Sequence, residues 1–327
     1  MADPQERDEK AQMKGLLRTL AVACVLGALT FAGLSAYGDM SAVVHDLRDF
    51  DYRYLAGALI LSMGNFLMRA GRWQFYLRHV GIRIPLGESV LVFLAGMVMT
   101  ITPGKMGELF KSFLLKWTRD TPLAESSAIV VAERVTDLIA LLLLAAWGSL
   151  AYSGGGLLSL LLVGVAVGMV VVVSWRRFGF WVLEVITRLP FLKRKSDRLE
   201  AAYIALVNML QPLPLAVGVT VALAAWWLQV VALTWLAAGV ENLDMTMQVA
   251  SFVYCSPMLA GVLALLPGGI GVTEAGMAHL LQGRGSNAAA AVAVTILVRV
   301  ATLWWAVVVG ALALVLHRHR TGWVLQK

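Results

Sequence analysis

Charged residues are scarce in this sequence of 327 residues, where they make up only 14% of the chain. A soluble domain is about a quarter charged and about half apolar, whereas this chain is 59% hydrophobic with a mean hydropathy of +0.77. These values exclude an ordinary soluble domain and predict an all-α polytopic membrane protein. The net charge of +7 is concentrated beside the apolar runs. Such a rim suits an anionic cytoplasmic leaflet, so nucleic acid is not an expected partner.

Cysteine and histidine are also sparse, and the common nucleotide-binding motifs are missing. Cys24 and Cys255 both lie in apolar runs, which argues against a disulfide framework and against a thiolate metal site. The five histidines lack the spacing of metal ligands, so no metal is expected. The sequence has no Walker motif, no GxSxG elbow and no dinucleotide fingerprint. We therefore expect no cofactor and no consumption of ATP by this chain itself.

Two apolar runs that are too short to cross a bilayer each end at a Pro-Gly break. The first break occupies residues 102–108 and the second residues 267–274, and each places a glutamate at the start of a new helical pattern. A Leu-Ala-Gly triplet precedes each break, and an Arg-Val pair follows it at nearly the same distance. These matched features indicate an internal duplication, which in a membrane protein indicates a transporter. The predicted hairpin tips are Pro103, Gly104, Pro267, Gly268 and Gly269.

Hydropathy predicts six full spans and two shorter paired segments. The spans are residues 16–38, 53–72, 123–152, 157–175, 213–239 and 287–316. Lys and Arg concentrate in cytoplasmic segments, so the strongly basic stretch 176–198 should be cytoplasmic. The stretch 176–198 lies in the cytoplasm only if residues 87–117 enter the membrane from the cytoplasmic side, turn inside it and return to the same side. By the same argument residues 246–283 enter from outside and return, so the two re-entrant helical hairpins form an inverted repeat.

These predictions give one transmembrane transporter domain, residues 16–316, with cytoplasmic tails at 1–15 and 317–327. Repeat one covers about residues 53–152 and repeat two about 213–316, with a basic interfacial segment at 176–212 between them. A broken helix at membrane depth is tolerated only where protein or a water-filled cavity covers it. We therefore expect the two tips to border a cavity near the midplane, where inverted-repeat transporters bind substrate.

Three cations are candidate ligands for a substrate phosphate: Lys105, Arg134 and Arg299. Lys105 follows the first break at the start of a short helix, where free N–H groups favour an anion. Arg134 and Arg299 occupy matched positions inside long spans, where an arginine is costly to bury unless it is paired or functional. Four carboxylates are candidates for charge balance or proton coupling: Glu108, Glu133, Asp137 and Glu274.

Structural roles are the alternative for several of these residues. One alternative is that Arg134 pairs with Asp137 or Glu108 as a structural lock, because buried charges are usually paired. Arg299 has no carboxylate within one helical turn, so its partner comes from another element or from a ligand. For Glu274 the alternative is a favourable position at the positive end of its helix.

A further polar set lies near the end of the second predicted span. Asn65, Arg69 and Arg72 share one helix face and are secondary candidates for the site. The alternative, which we favour for both arginines, is that their side chains only reach towards the inner membrane interface.

Four short motifs occur in a characteristic order: Asn65-x3-Arg69-x2-Arg72-Trp73, PGKMGE at 103–108, ER-x2-D at 133–137, and PGGIGVTE at 267–274. Together they resemble the lysylphosphatidylglycerol synthase transmembrane-region family, also called the flippase-like domain family, over about residues 15–316. The resemblance implies movement of a lipid with an anionic or zwitterionic headgroup between leaflets. Family members with a cytosolic aminoacyltransferase domain also make lysyl-phosphatidylglycerol, but this chain stops soon after the last span, so synthase activity is not implied. Stand-alone members are associated with polyprenyl-phosphate and glycolipid pathways, which leaves the lipid open.

The sequence therefore predicts a flippase-like lipid transporter of the bacterial inner membrane, with both termini cytoplasmic and a phospholipid or polyprenyl phosphate as substrate. One rival is an integral-membrane glycosyltransferase with a lipid-phosphate donor, using Asp46, Asp49 or Asp51 as general base. The other is an ion-coupled carrier of a small solute. A lateral opening to lipid favours the flippase, and a sealed axial vestibule favours the carrier. Membrane lipids are the expected partners; proton coupling, a homo-oligomer and a partner lipid-modifying enzyme stay open.

Overall fold

The computed structural model describes residues 33, 39–102, 108–152, 156–175, 196–240, 243 and 245–321. Within these residues the regular elements are helices and no strand occurs, which confirms the all-α prediction for this part of the chain. Several predicted features lie wholly or mostly outside it. They are the cytoplasmic tails at 1–15 and 317–327, the first span at 16–38, the first hairpin tip with Pro103, Gly104 and Lys105, and most of the basic segment 176–212.

The helices are numbered here in chain order. They are α1 (Met40–Asp49), α2 (Tyr52–His79), α3 (Leu86–Gly96), α4 (Phe110–Arg119), α5 (Leu123–Tyr152), α6 (Gly156–Ser174), α7 (Ser196–Met209), α8 (Pro212–Ala238), α9 (Met247–Leu263), α10 (Val272–Gln282), α11 (Ala288–Arg299) and α12 (Trp305–Thr321). The 3₁₀ turn Met97–Met99 precedes the first chain break, and the 3₁₀ turn Pro267–Gly269 forms part of the second. A π turn, Val300–Trp304, joins α11 to α12.

Helix length and composition make this a multi-pass membrane protein. In the described part of the chain, α6, α8 and the stretch from α11 through α12 are apolar and long enough to cross a bilayer. Helices α2 and α5 have 28 and 30 residues, or about 42 and 45 Å at 1.5 Å per residue, which exceeds the roughly 30 Å hydrocarbon core. In contrast, α3 and α9 are apolar but have only 11 and 17 residues.

Helix α2 corrects one predicted boundary, because it continues to His79 instead of ending at residue 72. Its start is capped by Asp51, whose carboxylate accepts a hydrogen bond from the Arg53 amide at 3.0 Å. Its last turn holds Arg78 and His79. The Arg78 guanidinium interacts favourably there with the negative end of the helix dipole. Arg72, at the predicted end of this span, is buried in the protein interior.

Helices α3 and α4 run back along each other as a hairpin. Near the break, a β-carbon on Gly96 would lie 3.0 Å from the Lys111 β-carbon. At the far end, the Arg119 guanidinium Nε donates to Glu88 Oε1 at 2.8 Å. The start of α3 and the end of α4 therefore meet, which is the geometry expected of the first predicted hairpin.

Helices α9 and α10 form the second hairpin around the Pro267–Gly269 turn. A β-carbon on Gly276 would lie 3.1 Å from the Pro257 side chain, so the two arms pack closely. Gly268 has φ +59°, a left-handed conformation that glycine adopts without steric cost. The break in this hairpin therefore depends directly on its glycine.

The two predicted repeats pack on each other reciprocally. In the first hairpin α3 packs against α12 of repeat two, while α9 of the second hairpin packs against α5 of repeat one. The matched helices α2 and α8 pack together, with Asn65 Nδ2 donating to the Ala225 carbonyl at 2.7 Å. A twofold relation between the two predicted repeats would give this pattern of packing, and the repeat itself stays a prediction. Opposite orientation in the membrane stays a prediction.

The residue that precedes the first chain break lies close to the second break. A β-carbon on Gly268 would lie 3.7 Å from the Ile101 Cα, which immediately precedes the first break. Ile101, Ile270 and Leu303 form one small buried hydrophobic cluster at this meeting point. Residues bordering both breaks therefore share one interior region, as the sequence predicts.

Candidate functional site

A buried cluster of charged side chains connects α2, α5 and the second arm of the first hairpin. Its described members are four cations and three carboxylates: Arg69, Arg72, Lys111, Arg134, Glu108, Glu133 and Asp137. Such charges are tolerated at membrane depth only when they are paired or functional. These residues come from three separate stretches of the sequence, 69–72, 108–111 and 133–137, and the fold brings the three stretches together.

Asp137 is the hub of this cluster. Its carboxylate lies 2.8 Å from Arg72 Nη2, 3.0 Å from Arg134 Nη2 and 3.6 Å from Arg69 Nη2. Arg72 also donates to the Thr136 hydroxyl at 3.0 Å, and its side chain is fully buried. The expectation that Arg69 and Arg72 only reach towards the interface is therefore wrong: both turn inward to Asp137.

Glu108 pairs with two of these arginines, Arg134 and Arg69. Its carboxylate lies 2.7 Å from Arg134 Nη2 and 3.8 Å from Arg69 Nη2. Arg134 thus pairs with both carboxylates considered for a structural lock. Its side chain nevertheless remains 23% exposed, so a paired Arg134 still has a face that can contact another molecule.

Lys111 is a site residue that the sequence analysis did not single out. Its ammonium pairs with Glu133, and both side chains are buried. The ammonium also lies 4.2 Å from the Trp73 ring centroid and 4.7 Å from that of Phe93, within cation–π range. Lys111 follows Glu108 by about one helical turn, and that spacing is the signal that could have identified it.

The charges of this cluster do not cancel. The described residues contribute one more cation than carboxylates, and Lys105 lies outside this count. Arg72, Lys111 and Arg134 each have a close carboxylate partner, whereas Arg69 lies 3.6 and 3.8 Å from its two. Arg69 is therefore the least closely paired cation of the cluster, and the excess positive charge of the described residues favours an additional anion in a low-dielectric region.

The second hairpin holds a smaller charged group around Arg299. Arg299 Nε lies 2.6 Å from Glu274 Oε1, and Arg299 Nη2 donates to the Gly268 carbonyl at 2.7 Å. The other carboxylate oxygen of Glu274 accepts from the Gly271 amide at 2.6 Å. Glu274 is thus both a helix-start residue and the partner of Arg299 from another element. The pair Arg299–Glu274 corresponds to the pair Arg134–Glu108 in the first repeat.

A cavity of about 140 Å³ lies between the first charged cluster and the second hairpin. On one side it is bordered by Arg134 and Asp137, and on the other by Gly268, Gly269 and the second hairpin's first arm. Arg299 is not among its lining residues, although Gly268, whose carbonyl it binds, is. The cavity therefore lies between two members of the first charged cluster, Arg134 and Asp137, and the chain break of the second hairpin.

Leucines line the outer part of this cavity. Leu265 and Leu266 border it and are 66% and 39% exposed, and the neighbouring Leu263 is 77% exposed. Leu265 has φ +53°, a left-handed conformation that costs a side-chain-bearing residue roughly 1–2 kcal/mol. Strain of this kind is typical of functional segments. The cavity thus has a charged inner wall and an apolar rim that reaches the protein surface.

Comparison with known proteins gives the same picture of the chain as a whole. The family model described as the lysylphosphatidylglycerol synthase transmembrane region matches residues 19–310. A UPF0104 membrane protein of Methanothermobacter thermautotrophicus is 22% identical over 321 residues, covering 90% of this chain and 94% of the relative. A second UPF0104 membrane protein of that organism is 24% identical over 306 residues, covering 88% and 90%.

A shorter similarity links the chain to an enzyme. Glycosyltransferase AglD of Haloferax volcanii is 26% identical over 122 residues, which cover 37% of this chain and 20% of AglD. The chain thus shares a minor part of that protein, whereas it matches the UPF0104 proteins almost end to end.

Proposed function

Because the chain belongs to the lysylphosphatidylglycerol synthase transmembrane-region family, we propose that it moves a lipid with a phosphate-containing headgroup between the membrane leaflets. The observation that carries this proposal is the cavity with a charged inner wall and a leucine rim. A headgroup needs polar contacts, while its acyl or prenyl chains are most stable in hydrocarbon. A lateral opening lined by leucines accommodates both, whereas a carrier of a soluble solute needs a sealed, axial path.

Arg134 is the proposed direct ligand of the headgroup, since it lines the cavity and keeps an exposed face. A guanidinium can engage two phosphate oxygens at once. The excess positive charge of the described cluster favours an anionic over a zwitterionic lipid through the low-dielectric interior. Lys105, next to the first break, is a further proposed ligand.

Arg299 has a different proposed role. It holds Gly268 and Glu274, so it sets the position of the second tip against the cavity. Direct contact of Arg299 with the phosphate requires this pair to open. Glu108 and Glu274 balance charge in the empty site, and proton coupling through them is part of the same proposal.

The function is tested by reconstitution into vesicles with chain-labelled fluorescent phosphatidylglycerol, phosphatidylcholine or polyprenyl phosphate. An impermeant quencher then reports how much labelled lipid reaches the outer leaflet. We expect faster movement of the two anionic lipids, and loss of this acceleration in Arg134→Gln. Movement of every lipid at the rate of protein-free vesicles would contradict the proposal.

The re-entrant hairpins and cytoplasmic termini are part of the proposal and need their own test. Single cysteines at Thr118 and Ser286, in a protein lacking Cys24 and Cys255, are labelled with an impermeant reagent in cells. We expect position 118 to react only from the cytoplasm and position 286 only from outside. Labelling of position 118 from outside would mean that the first hairpin spans the membrane.

The similarity to AglD supports a membrane glycosyltransferase as the second candidate. Of its proposed bases, Asp51 already caps α2, and Asp49 lies 3.2 Å from His45 in an exposed pair. Asp46 and Asp49 are therefore the residues to test. The aspartate-to-asparagine variants should retain lipid movement under the transport proposal, whereas sugar transfer that depends on either residue would favour the enzyme.

A further inference from the structure

The last long helix changes type at one point. Helices α11 and α12 are regular, but Val300–Trp304 between them form a π turn. The corresponding helix of repeat one, α5, is α-helical throughout. A π turn is an interruption with one extra residue, rare in helices and frequent at functional sites. The two matched helices therefore differ in geometry at this point.

The segment before the π turn is attached to the second hairpin. Arg299, the last residue of α11, binds the Gly268 carbonyl and Glu274. About two helical turns before Arg299, Val292 packs in a buried cluster with Ala278 of α10. Movement of α11 would therefore carry the second hairpin with it.

The segment after the π turn is attached to the first hairpin. A β-carbon on Gly310 would lie 2.3 Å from the Val98 amide nitrogen and 2.9 Å from the Met97 carbonyl carbon. Only glycine permits this approach of α12 to the end of α3. The π turn thus separates the part of one helix that holds hairpin two from the part that holds hairpin one.

Leu303 lies inside the π turn and contacts residues at both breaks. It belongs to the buried cluster with Ile101 and Ile270, and its methyl groups lie 3.3 and 3.4 Å from the position of a β-carbon on Gly268. A change of helix geometry here would therefore alter the contact between Ile101, which precedes the first break, and the second tip.

We propose that the π turn Val300–Trp304 is the joint about which the second hairpin moves against the first. Helix α5 contacts α4 of one hairpin and α9 of the other without interruption, so it is the fixed side of this movement. Sharp bends in helices occur at π turns, and bending here displaces Gly268 through Arg299. The cavity between Arg134 and Gly268 then opens or closes. Its use for lipid passage rests on the function proposed above; the movement itself does not.

The joint is tested by deleting Thr302. Removal of one residue from a π turn restores a regular α-helix, and α11 and α12 keep the same sides turned towards their packing partners. Spin labels at the exposed positions Lys116 and His279 report the distance between the hairpins in lipid nanodiscs. In the parent protein we expect a distribution that shifts when phosphatidylglycerol is included. In the deletion variant we expect one narrow, lipid-independent distance and a loss of lipid movement.

Two controls separate the joint from general damage. Deletion of Ala311, within regular α12, rotates the residues that follow and should lower thermal stability more than deletion of Thr302. If the Thr302 deletion does not fold, Leu303→Ala replaces it and should shift the distance distribution, while Leu312→Ala, 65% exposed on the same helix, should not. A Thr302 deletion or Leu303→Ala protein with the parental distribution overturns the joint. Absence of lipid movement in the parent protein overturns only the function.

Discussion

The two repeats hold their buried charges in different ways. In repeat one, Glu108 and Asp137 each lie near more than one arginine. In repeat two, the described residues give Glu274 a single cationic partner, Arg299. The first arrangement is redundant, carries excess positive charge and borders the cavity, whereas the second is neutral and set back from it. Under the proposals made above, the first predicted repeat supplies the binding surface and the second supplies the moving support.

The largest expected effect is on the free energy of unfolding, and it distinguishes Arg299 from Arg134. Arg299→Ala leaves Glu274 buried without its cation, and breaking a buried pair from one side costs about 3–5 kcal/mol. Arg134→Ala should cost clearly less, because Arg69 still lies near Glu108 and Asp137, and Arg72 still pairs with Asp137. Denaturation of the purified protein in detergent measures both. Equal losses would remove the distinction between a redundant and a single pair.

A matched double variant checks the cause of that loss. Replacing both members, as Arg299→Met with Glu274→Leu, removes the uncompensated charge and should recover most of the stability. A double variant as unstable as Arg299→Ala would instead assign the loss to the Gly268 carbonyl or to packing.

The next effect concerns lipid binding. Arg134→Gln removes a charged hydrogen-bond donor from the cavity, worth about 1.5–3 kcal/mol, or about 10- to 150-fold in Kd. Lipid-dependent thermal stabilisation, titrated with phosphatidylglycerol, measures it. Arg78→Gln, an exposed arginine on α2, is the control and should keep the full shift. An undiminished shift in Arg134→Gln would remove this residue from the site.

A smaller effect tests the excess charge itself. Arg69→Gln makes the described cluster neutral, and Glu108→Gln increases its positive excess, so the two should change affinity for anionic lipid in opposite directions. We expect changes below about tenfold, because neither substitution removes the cavity-lining arginine. Phosphatidylcholine serves as the control lipid. Changes in the same direction would show that packing, not charge, determines the preference.

The smallest expected effect comes from Thr136→Val, which removes the hydroxyl that accepts from Arg72 while keeping the side-chain shape. Side-chain hydrogen bonds within membranes contribute about 0.6 kcal/mol on average, and Asp137 still holds Arg72. Denaturation should therefore show a small loss. A loss comparable to that of Arg299→Ala would mean that the first cluster is not redundant.

Helix positions were largely predictable because their signals are local. Apolar runs placed the long helices, and the Pro-Gly break at Gly268 marked the second tip. The predicted span ended at Arg72, but α2 continues to His79, and Arg72 is buried in an ion pair with Asp137. A hydropathy scale scores each side chain by itself, whereas the free-energy cost of burying a charged side chain depends on the partner with which it pairs.

The sequence by itself determined that the chain is a helical membrane protein with two matched breaks, each followed by a carboxylate and an arginine. Only the tertiary structure decided which charges meet: Arg299 with Glu274, Lys111 with Glu133 between two aromatic rings, and Asp137 with several arginines. These pairings act over a few ångströms in a medium of low dielectric constant, where a small change of distance alters the energy strongly. Distance along the chain does not encode such proximity, so it emerges only when the hairpins and the long helices pack together.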